Sequence, residues 1–466
     1  MAATRSLEEV PSETPTRLSA LDRRFGMTER GTNPRIEAGG GLSTFLTMSY
    51  IVVVNPAILA AAGMPIGAVT VMTALAAAFF TAVMGLTTNL PLALAPGMGL
   101  NAFVAFGLVL GQHLAWQTAM ACIVLEGALA FALVLVGLRE AIMKAVPDDL
   151  KLAIGVGIGL FIAFVGLRDG GIIVNDPATG VALGDLTTGP ALITLAGLGV
   201  SLALTARGAK GAIVAGIATS TVLGLIFGIL KGPSGVLQWP GSSDFSTVGD
   251  AFGHFDALTW ALVPVIFALF MSDFFDTVGT ATALVSRAGL MDKMGRIPRL
   301  KALLLVDSAA AGGGGVLGVS SVTTYVESGA GISEGARTGL SSLVTSGLFV
   351  LTIFFVPIIS MVGQGVGKAG LHPATAPALI TVGVLMITLA GKINWEDRES
   401  SIPAFFTVVG IPLTFSIAAG IGLGVLSYVV VKVAKGHARQ IHPLMWLLVP
   451  MFLAYYYSTW LGVHIF

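Results

Sequence analysis

Charge is scarce in this 466-residue chain: Asp, Glu, Lys and Arg make up 11% of it, whereas hydrophobic residues make up 55%. Soluble domains carry about one quarter charged residues. The composition therefore excludes an ordinary soluble protein and indicates a polytopic membrane protein embedded in a lipid bilayer. The 25 basic and 25 acidic residues balance, so no basic excess points to nucleic acid as a partner.

Cysteine pairs, metal-ligand spacings and nucleophile–base pairs are also missing. The single cysteine, Cys122, excludes an intrachain disulfide and fits a small core residue. The six histidines lie at segment ends or in loops, without metal-site spacing. Residues 312–315 are all glycine, but no Gly-Lys-Ser/Thr of a phosphate loop follows. We therefore expect no enzyme, no metal and no cofactor.

The N-terminal stretch is polar and rich in arginine, with no early apolar run that would make a secretory signal. We expect residues 1–38 to form a polar cytoplasmic tail.

Apolar runs dominate the rest of the chain. They lie at about 41–62, 66–86, 91–111, 114–137, 150–167, 189–206, 210–230, 257–286, 300–313, 318–334, 338–363, 374–391, 402–416, 418–434 and 442–463. Most of them reach the roughly 20 residues that a helix needs to cross a bilayer.

Basic residues fix the number of crossings. If the N-terminus is cytoplasmic and 402–434 crosses twice, all Lys and Arg except Arg168, Lys231 and Lys368 lie in the tail or in loops after even-numbered segments. This asymmetry is the positive-inside pattern, and it favours seven plus seven spans. The last segment, 442–463, is then surplus, either an extra span or a membrane-associated helix.

Seven is an odd number, so the two halves must enter the membrane in opposite orientations, as an inverted repeat. We predict a first repeat at 39–235, an outer connection at 236–256, a second repeat at 257–440 and a C-terminal apolar segment at 441–466.

Two stretches break the pattern of a membrane helix at matching places in the two halves, residues 94–101 in the third segment and 312–327 running into the tenth. Bare backbone polar groups survive at this depth only where protein or a water-filled cavity lines them. Paired breaks of this kind point to the substrate site of a transporter.

Ionisable residues are rare in the apolar segments, and all are acidic: Glu126, Asp273, Asp276, Asp307 and Glu327. Each is costly at the bilayer centre, which makes each a candidate for function. No Lys or Arg lies at comparable depth to neutralise them. We expect some to carry a proton during part of a cycle, as in a proton-coupled carrier.

Each candidate has a structural alternative. Asp273 and Asp276 share a helix face and either contact a ligand or bond backbone amides at a break. Glu327 follows a β-branched run that predicts an extended piece, and it either caps the next half-helix or points into a cavity. Asn101 likewise caps a half-helix or offers a ligand one donor and one acceptor.

Glu126 and Asp307 are expected to hold helices together through hydrogen bonds to freed backbone groups. The aromatic residues Phe103, Phe274, Phe275 and Tyr325 are candidates to stack on a flat ligand, although packing is the commoner role of such residues.

Three motifs carry a resemblance to a known family: 44–56 (TFLTMSYIVVVNP), 95–103 (APGMGLNAF) and 273–280 (DFFDTVGT). From about residue 22 onward the chain resembles the azaguanine-resistance-like purine permeases, a branch of the nucleobase:cation symporter-2 superfamily. Ser321 and Val322 depart slightly from the expected small residues.

The resemblance implies fourteen spans in two inverted repeats, with core and gate domains and short antiparallel strands in the third and tenth spans. It implies proton symport of adenine, guanine and hypoxanthine, and a homodimer. Asp273 and Glu327 match nucleobase-binding carboxylates, Asn101 a substrate-site residue and Asp276 a position needed for transport. The fifth and twelfth segments, 150–167 and 374–391, match the gate helices.

The sequence thus predicts a proton-coupled purine importer of the plasma (bacterial inner) membrane, with an elevator-type mechanism and with Glu327 or Asp273 carrying the proton. Three alternatives remain: a uracil or xanthine symporter, an anion transporter of the same fold, and a membrane enzyme.

Overall fold

The computed structural model describes residues 20–137, 146–292, 296–367 and 370–460. Predictions that concern residues 1–19, Arg139, Lys144, Lys293, Lys368, the Phe275 side chain and residues 461–466 lie outside the described residues. Helices fill most of the described chain, and its strands are few and short.

The first half begins with a short helix and continues with seven helical spans. Its elements are α1 (Ala20–Phe25), α2 (Pro34–Met48), α3 (Ile51–Ala61), α4 (Ile66–Thr88), β1 (Leu94–Pro96), α5 (Met98–Ala102), a π-helix (Phe103–Gly111), α6 (Trp116–Leu135), α7 (Asp148–Asp169), β2 (Ile173–Asp176), β3 (Gly180–Leu183), α8 (Gly189–Ala206) and α9 (Ala212–Ile226). Helices α2 and α3 form one span that is interrupted at residues 49 and 50.

The second half repeats this order after a connection of short 3-10 turns. Its elements are α10 (Val263–Arg287), α11 (Leu300–Leu317), β4 (Val322–Thr324), α12 (Ser328–Ser333), α13 (Gly339–Thr352), α14 (Val356–Val362), α15 (Ala376–Ile387), α16 (Arg398–Thr414), α17 (Ile417–Ala434) and α18 (Pro443–Trp460). Helix α18 follows the fourteen spans.

Nine helices in the described ranges are long and apolar enough to cross a membrane, and shorter apolar helices occur at Met98–Gly111, Ala212–Ile226, Ala376–Lys392 and Pro443–Tyr457. The predicted division of 402–434 is confirmed: α16 ends where Phe415 adopts a left-handed φ of 50°, and the Ser416 side chain caps α17.

The third and tenth spans meet at a two-stranded antiparallel sheet. β1 pairs with β4 in the register Leu94 with Thr324, Ala95 with Thr323 and Pro96 with Val322. The Gly97 N–H donates to the Ser321 carbonyl at 2.8 Å, and the Tyr325 N–H donates to the Ala93 carbonyl at 2.9 Å. Each half thus satisfies the backbone that the other half exposes, and the predicted all-α fold with strands in these two spans is confirmed.

Small residues let the helices pack closely within two groups. In the core, which contains α2–α6 and α10–α14, an added Cβ at Gly127 of α6 would collide with Gly312 of α11. In the gate, which contains α7–α9 and α15–α17, an added Cβ at Gly383 of α15 would lie 2.5 Å from the Gly159 carbonyl oxygen of α7. Such backbone-to-backbone contact is typical of helices packed in a membrane.

The segment before the first span is folded onto the core: Arg30 donates to the Arg337 carbonyl oxygen at 2.8 Å, and Asn89 donates to the Phe25 carbonyl oxygen at 2.8 Å. Helix α2 begins at Pro34, four residues before the predicted boundary of the polar tail, because the Asn33 side chain accepts the Arg35 and Ile36 N–H groups at 3.0 Å. The buried Glu37 carboxylate accepts the backbone N–H of Arg337 at 2.8 Å, where α13 begins.

Helix α18 lies alongside α17 in the opposite direction. It starts soon after α17 ends, and near its own C-terminus Tyr456 donates to the Ala419 carbonyl at 2.5 Å, in the first turn of α17. The Tyr455 hydroxyl lies 3.0 Å from the Ser416 hydroxyl. The surplus segment is therefore a helix as long as α17 and packed against it.

Candidate functional site

The paired strands set the position of every candidate residue. The chain leaves β1 into α5, which carries Asn101, and leaves β4 toward Glu327 and α12. Helix α10 packs against β4 and brings Asp273 and Asp276 to the same place. The four residues that the sequence assigned to ligand binding thus come from three spans and surround one sheet.

Glu327 occupies the N-cap position of α12, but its side chain makes no capping hydrogen bond. Instead, the Tyr50 hydroxyl of the first span donates to Glu327 Oε1 at 2.6 Å. The Glu327 side chain is half-buried, and the neighbouring Val326 is 63% exposed. The carboxylate therefore borders an open space instead of closing its own helix.

Asp273 is almost completely enclosed by protein. Its Oδ1 accepts a hydrogen bond from the Ser321 hydroxyl at 3.3 Å, just before β4. One turn further along α10, the Thr277 and Thr323 hydroxyls lie 2.8 Å apart. These two contacts bond the acidic face of α10 to β4 and to the residue that precedes it, so that the helix and the sheet line one side of the site.

Asp276 has the opposite environment. It is exposed, and no hydrogen bond from the described residues reaches its carboxylate. It lies close enough to Asp307 and Glu327 to interact with both electrostatically. The alternative that Asp276 bonds backbone amides at a break therefore finds no contact among the described residues.

Asn101 lies inside α5, and Gly97 occupies the N-cap position. Its Nδ2 lies 3.4 Å from the Pro96 carbonyl oxygen, while its buried Oδ1 has no hydrogen-bond partner among the described residues. The amide therefore does not cap the helix and keeps an acceptor atom for another group. The π-helix that follows widens the turn at this point, a geometry often found at functional sites.

Glu126 of α6 and Asp307 of α11 are fully buried in the core. Asp307 Oδ1 accepts a hydrogen bond from the Thr324 hydroxyl of β4 at 3.1 Å. Asp307 thus ties α11 to a strand side chain, and its expected bonds to freed backbone groups stay a prediction.

Sequence reasoning missed Tyr50, Thr277 and Thr323. Tyr50 belongs to the first of the three family motifs, so the motif marked its position without giving its role. Among the aromatic candidates, Phe103 and Phe274 are fully buried, and Tyr325 donates through its hydroxyl to the Pro96 carbonyl. Among the described residues no group of three His, Cys, Asp or Glu side chains could hold a metal ion.

A helical bundle of seven plus seven spans, whose halves meet at a shared pair of strands lined by carboxylates, defines a multi-pass membrane transporter and not an enzyme. The chain belongs to the family described as the Permease family, whose model matches residues 36–423. The resemblance that the sequence motifs indicated is confirmed.

Curated relatives match over nearly the whole length of both chains. A guanine/hypoxanthine permease of Bacillus subtilis, PbuG, is 43% identical, covering 93% of this chain and 98% of its own. The adenine permease AdeP of Escherichia coli is 41% identical, covering 91% and 93%. A putative permease of Methanocaldococcus jannaschii is 42% identical, covering 93% and 97%.

Solved structures with the same fold are more distant. The transmembrane domain of the cyanobacterial bicarbonate transporter BicA has a TM-score of 0.58 at 16% identity, covering 83% of this chain and 97% of its own. SLC26A9 has a TM-score of 0.59 at 11% identity, covering 86% and 65%. At such identities the likeness concerns the fold alone.

Proposed function

We propose that this permease imports purine nucleobases, namely adenine, guanine or hypoxanthine, across the plasma membrane together with protons. The observation that carries the proposal is the near full-length similarity to adenine and guanine/hypoxanthine permeases at 39–43% identity. Because these relatives include adenine permeases and guanine/hypoxanthine permeases, the similarity does not identify the preferred purine.

The arrangement around the strands suits a purine. A purine is flat and carries N–H donors next to ring acceptors, so a carboxylate and an amide can satisfy its edge. Asp273, Glu327 and Asn101 offer two carboxylates and an amide around one sheet. A base that leaves the buried Asp273 and Asn101 side chains unpaired would bind much more weakly.

The acidic residues around the strands also offer a place for the coupled proton. Asp276 lies within electrostatic reach of both Asp307 and Glu327, and like charges at close range repel when they are ionised. We assign the transported proton to Glu327 or Asp273. Glu327 borders the open side of the site, and Asp273 is bonded to Ser321 beside the strand. The ligand and the proton would then share the same carboxyl groups.

The core and the gate suit an elevator-type movement, in which the core carries the site past the gate. Close backbone contacts such as Gly127 to Gly312 and Gly383 to Gly159 hold each group together. Gly99 of α5 approaches the gate differently, because it faces the Ile158 side chain of α7 instead of backbone. A side chain can rearrange, so a contact of this kind permits sliding.

The first test is uptake of labelled adenine, guanine and hypoxanthine into cells that lack purine transport, with and without a protonophore. We expect uptake against a gradient that collapses with the protonophore. Asp273→Asn should weaken binding at least about tenfold, because it removes a charged hydrogen-bond acceptor. Glu327→Gln should abolish accumulation.

The exposed Asp256, in the connection between the halves, supplies the matched control, because Asp256→Asn makes the same chemical change away from the site. Accumulation that persists in Glu327→Gln would remove Glu327 from the coupling step. Good expression without purine uptake would discard the purine assignment and bring forward uracil, xanthine and the small anions named for the structural neighbours.

A further inference from the structure

The first span is interrupted at the level of Glu327. Helix α2 ends at Met48 and α3 starts at Ile51, and the intervening Tyr50 side chain is only 2% exposed. Thr47, one turn earlier, places its hydroxyl 3.4 Å from the Glu327 carbonyl oxygen. The first span thus contacts both the backbone and the side chain of Glu327, although the two residues belong to different halves.

The Tyr50 hydroxyl can donate one hydrogen bond, and it donates that bond to Glu327 Oε1 at 2.6 Å. The backbone N–H of Glu327 itself also interacts with this carboxyl group, and the side chain does not cap α12. Among the described residues, Tyr50 is therefore the side chain of another span that fixes the orientation of this carboxyl group. A glutamate without such a partner samples several rotamers, which costs binding free energy when a ligand orders it.

We propose that Tyr50 is a positioning residue: it binds Glu327 Oε1 and thereby presents Oε2 to an N–H group of the nucleobase. The inference rests on the proposed function, because it assigns a role within the same site. It adds a neutral hydrogen-bond donor from the first span to the residues that determine affinity.

The alternative is that Tyr50 only packs in the core, as a phenylalanine would. Both roles predict a buried ring, but only the positioning role makes the effect of the hydroxyl depend on Glu327. A double-mutant cycle measures this dependence directly.

The experiment measures equilibrium binding of labelled adenine, guanine and hypoxanthine to the purified full-length protein. Four proteins form the cycle: wild type, Tyr50→Phe, Glu327→Ala, which removes both oxygens that could accept a hydrogen bond from the hydroxyl, and the double variant. We expect Tyr50→Phe to raise Kd about tenfold in the wild type. We expect it to have less than a twofold effect in the Glu327→Ala background, where the hydroxyl has no carboxyl group to bind.

Tyr456→Phe is the matched control, since it removes a tyrosine hydroxyl that donates to the Ala419 carbonyl, away from the strands. It should leave Kd unchanged. Equal Kd values for wild type and Tyr50→Phe, or the same Tyr50→Phe effect in both backgrounds, would overturn the inference while leaving the proposed function intact. A wild-type protein that binds none of the three purines would overturn the proposed function, and the inference with it.

Elution as a single species checks the fold of each variant. If Tyr50→Phe aggregates, Glu327→Asp tests the bond from the other side, because a carboxylate one methylene shorter cannot reach both Tyr50 and the ligand. A Kd at least about tenfold higher is then expected, and a wild-type Kd would contradict the positioning role.

Discussion

Four acidic residues near the strands differ in what surrounds them. Asp273 is enclosed and bonded to Ser321, and Asp307 is enclosed and bonded to Thr324. Glu327 is half-open and held by Tyr50, while Asp276 is exposed. A charge in a fixed, enclosed place orients a ligand, whereas a charge beside open space can exchange a proton with water. We therefore propose that Asp273 orients the ligand, and that water reaches the proton carrier, Glu327 or Asp273, from the open side where Asp276 and Glu327 lie.

A further acidic residue with a defined electrostatic role lies outside the apolar segments. Glu399, in the first turn of α16, forms ion pairs with Lys432 and Lys435 and lies 2.6 Å from His437 Nδ1. The hydrogen bond from Lys432, followed by that from His437, lowers the pKa of Glu399 to about 2. The cluster joins the start of α16 to the end of α17.

This pKa predicts how stability depends on pH. A depressed carboxyl pKa in the folded state stabilises the protein above the ordinary glutamate value, and the contribution is lost as pH falls toward about 2. Wild-type Tm should therefore fall more steeply between pH 5 and pH 2 than the Tm of Glu399→Gln. Thermal unfolding in detergent measures both, with the exposed Glu396→Gln as control. Parallel pH profiles for wild type and Glu399→Gln would contradict the prediction.

The acidic candidates could be found from sequence because an ionisable residue inside an apolar segment stands out. Their roles could not, because they depend on which hydroxyl from another span lies next to each carboxylate. Tyr50 and Glu327 are 277 residues apart, and a tyrosine in an apolar segment carries no distinguishing signal. Asn101 shows the same limit, since only the structure shows that Gly97, not Asn101, occupies the N-cap.

At the scale of elements, hydropathy predicted the helical segments well, and basic residues resolved 402–434 into two helices. Hydropathy could not show where a helix is interrupted when the sequence around the interruption stays largely apolar. The first span was read as one segment, 41–62, but is divided at Ser49 and Tyr50. The π-helix at Phe103–Gly111 likewise has an ordinary apolar sequence.

Helix α18 has the length and position of a fifteenth crossing, and we predict that it spans the membrane. His442, at its start, would lie on the cytoplasmic side, and Tyr457, near its end, on the outer side. Both positions are exposed, and Cys122 is fully buried. A membrane-impermeant thiol reagent applied to intact cells should therefore label Tyr457→Cys and should label His442→Cys only after permeabilisation. Labelling of both variants in intact cells would exclude this topology.

For the whole molecule, the contact between the core and the gate is the part that must change during transport. Lys210, in the turn between α8 and α9 of the gate, forms an ion pair with Glu334 at the end of α12 in the core. Its Nζ also lies 3.4 Å from the Ser43 hydroxyl of α2. An exposed ion pair contributes about 0–1 kcal/mol, which suits a contact that forms and breaks in each cycle.

We predict that this ion pair stabilises the conformation in which Val326 is exposed. In a Val326→Cys background, Lys210→Ala should slow thiol labelling at position 326 about two- to fivefold. The reason is that loss of one exposed ion pair lowers the population of the conformation with position 326 exposed by a factor of this size. The reversed pair, Lys210→Glu with Glu334→Lys, should restore the labelling rate. Unchanged labelling in Lys210→Ala, or no recovery in the reversed pair, would show that the pair does not bias the conformation.

The pairing of β1 with β4 has a consequence for how the protein is made. Tyr325 and Pro96, which are bonded across the sheet, are separated by 229 residues. At a synthesis rate of about 5–20 residues per second, β1 waits roughly 10–50 s for its partner strand to leave the ribosome. Until then the backbone N–H and C=O groups of β1 lack the hydrogen-bond partners of β4, and lipid cannot replace them. During this interval of translation the half-made protein has an unpaired strand in the membrane. A chain that stalls or ends before β4 cannot form the paired strands and therefore cannot complete the binding site.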